Sequence, residues 1–452
     1  MSKLLLPILL LTSYLVGCSG ESNMTEKTSA SSDQDAALMD RAKAIHASAL
    51  TLDAHADIEI PGKPSSYVGN DGLSKVAPKK MRTGGLDAVV MAIAVGPMPR
   101  TAEGYAAAKA LAQTKLEAVK ALAADATNNS VITLSADELI TAHKEGKSAL
   151  LLGFQNALIL GTEIDGINTL FNSGVRVFAL THMGHNDFAD SSRTLFDGDT
   201  GTREPDAEHG GLSTLGKAAV ERINALGGIM DISQLSSQAA LQAIELSITP
   251  VIASHSNVRA LTSVSRNLSN EEIDRIGETG GVIHVAPFRG YLFNSSDPNM
   301  DSNIRAVRKE SGIDENYLYP FELYWEIDDI DLKKDFLTRI STLLGPIGLN
   351  EMIAHIDYIA KRIGVDHVGI GTDFNHGSGI EGFDDASEAL NVTIELLKRG
   401  YSEDDIVKIW GGNFIRVWQA AEAKSRRTRT TDLSLISRSF VSKNPLNNEF
   451  ND

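Results

Sequence analysis

Eight short apolar or β-branched runs, separated mainly by helix-like segments, constrain the fold of this chain more than any other feature. The runs lie at 49–56, 87–95, 148–155, 175–181, 228–232, 250–254, 281–286 and 367–372. Strands that alternate with helices are parallel, and for 452 residues an α/β (β/α)8 TIM barrel is the simplest closure of eight of them. A doubly wound open sheet is disfavoured because no Gly-rich phosphate loop follows the first run.

Helical patterns fill most of the intervals between these runs, and we expect the barrel to span residues 37–423. The patterns lie at 105–124, 214–226, 237–247, 270–279, 349–363 and 386–399. A long insertion at 288–334, between the seventh and eighth predicted strands, interrupts the alternation. Loops of this length are commonly functional or disordered, and the aromatic residues of this one favour an ordered segment.

The N-terminus has the composition of an export signal. Lys3 precedes an apolar run at 4–11, which is too short to span a membrane, and Leu15-Val16-Gly17-Cys18 follows. This tetrapeptide resembles the lipobox of bacterial lipoproteins, so we predict a signal peptide over 1–18 and a lipid anchor on Cys18; a simple cleaved signal is the alternative. Ser19 resembles the residue that directs lipoproteins to the outer membrane, which implies a periplasm-facing protein of the cell envelope.

The remaining ends and the overall charge limit the possible partners. Residues 19–36 are rich in Ser, Glu, Thr and Asp and are predicted to form a disordered tether, and 424–452 form a polar tail. Cys18 is the only cysteine, so the chain has no disulfide framework. A formal net charge of −17 argues against nucleic acid as a partner, because phosphates would be repelled.

Polar residues follow the predicted strands, where a barrel collects its chemistry. The first run ends in the sequence DAHAD, which places His55 and Asp57 two residues apart and therefore on one face of a strand. Imidazole and carboxylate are zinc ligands, although so short a pattern also fits a polar strand end. Since His182, His255 and Asp373 also follow predicted strands, separate structural explanations for all five residues are improbable.

Several longer motifs together resemble the membrane (renal) dipeptidase family of the amidohydrolase superfamily, which consists of metal-dependent peptidases with a (β/α)8 barrel. The resemblance runs from about residue 44 to residue 423. It rests on DAHAD, THMGHNDFAD, GLSTLGKAAVERINALGGIMDIS, PVIASHS, SRN, GVDHVGIGTDF and GGNFIRVW. The combination is highly specific, whereas any one of these motifs alone would be weak.

The resemblance implies a role for each matching residue. His55 and Asp57 match the ligands of the first metal, and His255 matches a ligand of the second. His182 matches the histidine that polarises the scissile carbonyl, and Arg266 matches the arginine that holds the C-terminal carboxylate of the substrate. Asp373 matches the aspartate that takes a proton from the attacking water.

Two positions depart from the family pattern. Gln155 stands where a glutamate bridges the two zinc ions, and Gln234 stands where the second metal has a histidine. Neutral amides are weak zinc ligands, so we expect one zinc ion and a second site that is empty or weakly occupied. His185, His284 and His376 are further candidate ligands, each more simply explained as an ordinary polar residue.

These expectations describe a zinc-dependent dipeptidase that cleaves dipeptides with a free C-terminal carboxylate. The alternative is an exported family member without peptidase activity that serves as a binding or maturation protein in the cell envelope, as in relatives implicated in siderophore maturation. A third hypothesis is an amidohydrolase acting on a non-peptide amide or lactam. Family members often pair, so a homodimer is a further expectation of the resemblance.

Overall fold

A computed structural model describes residues 22–65, 67–197, 202–312 and 329–425. The predicted signal peptide, Cys18 and most of the polar tail lie outside these residues, as do the acidic and aromatic residues at 313–328 of the insertion. Within the part of the chain that the structure describes, no helix is both long and apolar enough to cross a membrane.

Eight parallel strands form the central sheet, and each coincides with one of the predicted runs. In sheet order they are β1 (Leu52–Asp57), β2 (Ala88–Ala94), β4 (Ser148–Gln155), β5 (Val175–Ala179), β8 (Ile229–Asp231), β9 (Ile252–Ala253), β10 (Val282–Val285) and β11 (Val368–Ile370). The predicted α/β TIM-barrel fold is therefore confirmed. The sequence analysis missed strand β3 (Ser130–Ile132), which pairs with β4 outside the ring and is only half-buried. It also missed a short antiparallel pair, β6 (Phe196–Asp197) with β7 (Thr202–Arg203).

Helices surround the strands. They are α1 (Ser22–Ser48), α2 (Pro78–Gly84), α3 (Ala102–Ala124), α4 (Ala136–Lys144), α5 (Gly166–Asn172), α6 (Thr214–Leu226), α7 (Ser237–Leu246), α8 (Asn270–Glu278), α9 (Met300–Glu310), α10 (Ile330–Leu344), α11 (Leu349–Ile363), α12 (Ala389–Lys398) and α13 (Glu403–Val407), with a last helix at 413–425. Many of these helices begin after a residue whose side chain accepts a hydrogen bond from a backbone N–H of the first turn. At α8, Ser269 and Glu272 form a reciprocal capping box.

Helix α1 differs from the expected disordered tether over 19–36, because it begins at Ser22. Its C-terminal part buries Ala42 and Ile45 against the barrel. Once this part of the helix is packed, each further residue adds a backbone hydrogen bond without a new nucleation cost. The polar segment before it can therefore extend the helix toward Ser22. The insertion before β11 likewise contains regular structure, since α9 and α10 pack on one another.

The first and last strands of the barrel meet at a seam held by Asp53. Its carboxylate accepts hydrogen bonds from the Thr372 backbone N–H (2.7 Å) and from the Thr372 hydroxyl (2.6 Å). It also accepts from the backbone N–H of His55 at 3.1 Å. Backbone bonds from Asp373 N to His55 O (2.8 Å) and from Asp57 N to Phe374 O (2.9 Å) complete the closure.

A register irregularity in β1 turns its ligand residues into the barrel. Leu52 and Ala54 belong to the core cluster that draws residues from seven barrel strands and the last helix, whereas Ala56 belongs to the cluster beneath the outer helices. The pairing of β1 with β2 shifts between Asp53 and Ala56, which changes the face that alternate residues occupy. His55 and Asp57 consequently face the barrel interior beyond the shift.

A substitution at Gly371, the residue before Thr372 of the seam, tests how tightly the barrel is packed there. A Cβ added there would lie 1.8 Å from the backbone oxygen of Ser254, which cannot move independently of its strand. We expect Gly371→Ala to lower the free energy of unfolding by about 1–3 kcal/mol or more, as measured by chemical denaturation. Gly96→Ala is the matched control, because nothing lies within 4 Å of its added Cβ. Equal stability of the two variants would contradict this packing.

Candidate metal centre and active site

Three ligand atoms converge at the C-terminal end of the barrel. His55, His255 and Asp373 each offer one, and these atoms all lie within 4.8 Å of one another. The residues come from β1, from the end of β9 and from the end of β11, and none is more than 3% exposed. Buried imidazoles and a carboxylate that meet in this way have the composition of a divalent-metal site.

The imidazole of His55 stands at the centre of this group. Its ring stacks on that of His255, with centroids 3.9 Å apart. Its Nε2 lies 4.0 Å from one carboxylate oxygen of Asp57 and 4.0 Å from one of Asp373. Neither this nitrogen nor the Asp57 oxygen has a hydrogen-bond partner within the described structure, although both are buried. Buried polar atoms are normally paired, so these orphaned atoms fit a metal ion between them.

His255 joins His55 in one cluster, whereas the resemblance assigns the two residues to different metals. Its Nε2 lies 3.3 Å from the amide nitrogen of Gln234 and 3.5 Å from that of Gln155. The amide oxygens of both glutamines are buried and have no partner among the described atoms. All five predicted metal-site residues therefore gather around a single small volume, with the two amides beside His255.

A buried hydrogen-bond chain behind His255 was not found in the sequence analysis. The hydroxyl of Ser254 donates to the Asp231 carboxylate at 2.5 Å and contacts His255 Nδ1 at 2.8 Å. Because its single hydrogen goes to Asp231, the hydroxyl accepts from Nδ1–H, which leaves the lone pair of His255 on Nε2. Outer partners of this kind fix the tautomer and orientation of metal-binding histidines. The only sequence signals were the carboxylate ending β8 and a serine preceding a histidine.

The backbone is unusual at two of these residues. Gln234 has a φ of +68° and Asp373 a φ of +57°, in the left-handed region that non-glycine residues rarely adopt. Such conformations persist only where the surrounding structure imposes them, and they are concentrated at functional sites. Sequence periodicity carries no signal for them.

A second imidazole pair lines the approach to the centre. His376 Nδ1 lies 2.8 Å from the other carboxylate oxygen of Asp57. The His376 ring is 5.0 Å from that of His182 and stacks at 5.9 Å on Tyr67. His376 therefore orients Asp57 from outside, which is a more specific role than the sequence analysis gave it.

Burial sets the protonation of the centre. It lowers the pKa of His55 to about 4, and those of His182 and His255 well below the usual value, so all three imidazoles are neutral near pH 7. Burial also raises the pKa of Asp373 to about 6, against the opposing charge of His376. For Asp57 burial acts in the same direction, but nearby positive charge, chiefly that of His376, outweighs it and holds the pKa below its usual value.

The other side of the centre is cationic and aromatic. Arg266 is 2% exposed, and its Nη2 donates to the backbone oxygen of His255 at 2.8 Å. Its guanidinium lies 5.2 Å from the centroid of the Tyr291 ring, which stacks on Phe288 at 4.2 Å. Arg193, which the sequence analysis did not identify, donates to the Tyr291 hydroxyl and lies 5.5 Å from the same ring.

A cavity of about 40 Å³ adjoins Asp373. Its described lining comes from five loops at the barrel mouth and consists of Tyr67, Met183, Arg193, Gln234, Phe288, Tyr291, Asp373 and His376. The cavity thus combines a carboxylate from the metal centre, an arginine and aromatic walls. His185 and His284, by contrast, bond to the backbone oxygens of Pro205 and Ala253 and do not join the cluster.

Comparison with known proteins identifies the class to which this fold and centre belong. Residues 39–432 match the model of the membrane dipeptidase family, peptidase family M19, and the chain belongs to that family. The structure of a probable dipeptidase, PvdM, from Pseudomonas aeruginosa is 35% identical, with a TM-score of 0.75 over 86% of this chain and 99% of the other.

More distant relatives include two fungal proteins named as dipeptidases and a bacterial metallopeptidase of the same fold. Dipeptidase aclJ of Aspergillus oryzae is 30% identical over 64% of this chain and 55% of its own length, and dipeptidase tcpJ of Claviceps purpurea is 29% identical over 64% and 54%. The chain thus spans about half the length of these curated relatives. A metallopeptidase from Rhodobacter sphaeroides, solved with a phosphinate mimic of the dipeptide L-Ala-D-Ala, has the same fold at 18% identity, with a TM-score of 0.62 over 82% of this chain and 99% of the other.

The hydrogen bonds that link Asp231, Ser254 and His255 predict how loss of the Ser254 hydroxyl changes metal binding. Ser254→Ala should weaken zinc affinity by about 10- to 100-fold, because His255 loses the acceptor that fixes its tautomer. Competition titration against a chelating dye measures this affinity directly. Ser256→Ala is the control, since that buried hydroxyl contacts Ser233 and, among the described residues, no imidazole. Unchanged affinity in Ser254→Ala would contradict the assignment.

Proposed function

We propose that this protein is a metal-dependent dipeptidase that uses one zinc ion. The observation that carries the proposal is the convergence of His55, His255 and Asp373, with orphaned buried atoms on His55 and Asp57, inside a dipeptidase-family barrel. Neutral imidazoles with one or two carboxylates suit zinc and similar ions better than magnesium or calcium, which prefer all-oxygen sites. When bound, the ion supplies the Lewis acidity that activates a water molecule for attack on an amide.

The residues of the chain divide the remaining work. One oxygen of Asp373 faces His55, so its other oxygen can take the proton of the attacking water and later deliver it to the leaving amine. His182, buried and neutral, can donate a hydrogen bond to the oxygen of the amide carbonyl. A donor at that position typically contributes about 2.7–4 kcal/mol to lowering the barrier. Arg266 and Arg193, which both lie against the Tyr291 ring, favour a substrate with a carboxylate.

The proposal of a single ion rests on the two glutamines. In the structure their amide nitrogens face His255 Nε2, and rotation of either amide would offer only a neutral oxygen. His255 is shared with the cluster of His55, so it does not serve a separate centre alone. With one carboxylate fewer than the family pattern, the centre balances a single dication better than two.

Metal content tests this arrangement. The purified protein, loaded with excess zinc and then desalted, should retain about one ion per chain by atomic emission, because the described residues contain one such cluster of strong ligands. Gln155→Glu combined with Gln234→His should raise this number toward two. The +68° φ at position 234 permits that change, since histidine is among the residues enriched at positive φ.

Matched variants give the control for metal content. His55→Ala should release the ion, whereas His367→Ala, which removes a histidine bonded to the Gly281 backbone outside the cluster, should keep it. Two ions in the unaltered protein, or no gain in the double variant, would contradict the single-ion centre.

Peptide cleavage tests the activity itself. We expect zinc-loaded protein to release free amino acids from a panel of dipeptides, and to cleave the corresponding dipeptide amides at least about tenfold less efficiently, because an amide lacks the carboxylate that accepts a charged hydrogen bond from arginine. Asp373→Asn should abolish turnover. If the loaded protein cleaves no dipeptide while binding zinc, the proposed activity is wrong and a binding role in the cell envelope becomes the better hypothesis.

A further inference from the structure

We propose that Arg193, rather than Arg266 alone, is the residue that binds the carboxylate of the substrate, and that it determines specificity for a free C-terminus. The proposal rests on the proposed dipeptidase function, whose site it deepens. It follows from the position of the guanidinium at the cavity, from the way its loop is held, and from the bonds that Arg266 already makes.

The backbone of Arg193 is fixed to two neighbouring strand ends. Its backbone oxygen accepts from Gly184 N at 2.8 Å, and its N–H donates to the Ser191 hydroxyl at 3.2 Å. That hydroxyl donates to the backbone oxygen of His182 at 2.5 Å, and Ser192 N donates to the backbone oxygen of Gln234 at 2.9 Å. The loop that carries Arg193 is therefore tied to the segments that carry His182 and Gln234, which places the side chain before any ligand arrives.

The side chain of Arg193 is oriented by an aromatic surface. Its Nη2 donates to the hydroxyl of Tyr291, and its guanidinium approaches the same ring. Tyr291 is in turn held by stacking on Phe288 with an interplanar angle of 14°. An arginine held in one orientation presents a planar fork of donors that matches a carboxylate in two parallel hydrogen bonds.

Arg193 and Arg266 differ in what they face. Arg193 lines the cavity together with Asp373, His376 and Gln234, so an anion in that cavity meets its guanidinium. Arg266 is not among the described residues of the lining, and its Nη2 donates to the backbone oxygen of His255. Arg266 is thus placed to position His255, while Arg193 is placed to contact the substrate.

The test compares the two arginines with a ligand that is not turned over. A phosphinate mimic of Ala-Ala and its C-terminal carboxamide are titrated into zinc-loaded protein by calorimetry. Unaltered protein should favour the carboxylate form. Arg193→Gln should weaken binding of that form by about 10- to 100-fold and leave the carboxamide nearly unchanged, because a charged hydrogen bond is lost only in the first case.

Three further variants make the result specific. Arg193→Lys keeps the charge but loses the fork, and Tyr291→Phe removes only the orienting hydroxyl, so both should show smaller losses confined to the carboxylate form. If circular dichroism shows that Arg193→Gln does not fold, these two variants test the proposal in its place. Arg289→Gln is the control, since this exposed arginine bonds Ser341 and Gly345 outside the cavity.

The outcomes separate this proposal from the proposed function. The proposal is overturned if Arg193→Gln keeps the preference for the carboxylate, if Arg266→Gln alone loses it, or if unaltered protein has no preference. Loss of the preference in Arg193→Gln supports it even if no dipeptide is cleaved, in which case only the hydrolytic activity fails. Cleavage of dipeptides with an unchanged preference in Arg193→Gln supports the activity and rejects this role of Arg193.

Discussion

The bonds of Asp53 to Thr372 join the first barrel strand to the last, and the metal centre depends on that seam. His55 and Asp57 follow Asp53 on one side, and Asp373 follows Thr372 on the other, so closing the barrel brings two halves of a ligand set together. Burial raises the pKa of Asp53 to about 7 even though the Thr372 hydroxyl and two backbone N–H groups favour its charged form. The carboxylate that closes the fold is thus buried at an electrostatic cost, next to the site that the closure creates.

The number and positions of the barrel strands were predictable because each strand lies within or overlaps a short apolar or β-branched run. Helices α6 and α11 were predicted to the residue, since their apolar periodicity and their flanking serine or glycine mark both ends. Strand β3 and the start of α1 were not predicted. The three residues of β3 are only half-buried and leave no apolar run, and the polar first part of α1 leaves no apolar periodicity. The predicted patterns also left out α4, which contributes Ala136, Leu139 and Ala142 to the core, so burial alone does not mark an element in the local sequence.

The site could be predicted only in part. His55, Asp57, His182, His255 and Asp373 could be listed, because strand ends and family motifs mark them. Their grouping could not, since the distance from His55 to His255 depends on how two strands far apart in sequence are placed around the ring. Ser254, Asp231 and Arg193 carried still weaker signals. Each acts through a contact to a residue distant along the chain, and a single sequence does not encode such contacts as a pattern.

The small cavity beside Asp373 has a kinetic consequence. Sites that enclose small organic ligands usually have volumes of about 300–1,000 Å³, whereas this space of about 40 Å³ holds little more than water. The proposed dipeptide substrate would therefore enter only when Tyr67, the exposed member of the wall, moves aside, because Phe288 and Tyr291 are buried and stacked on one another. If the proposed hydrolysis takes place here, the frequency of that opening would set a ceiling on turnover, however fast the bond is broken. Tyr67 lies in the loop between β1 and α2, so changes in that loop alone could alter the ceiling while the bonds of the seam stay as they are.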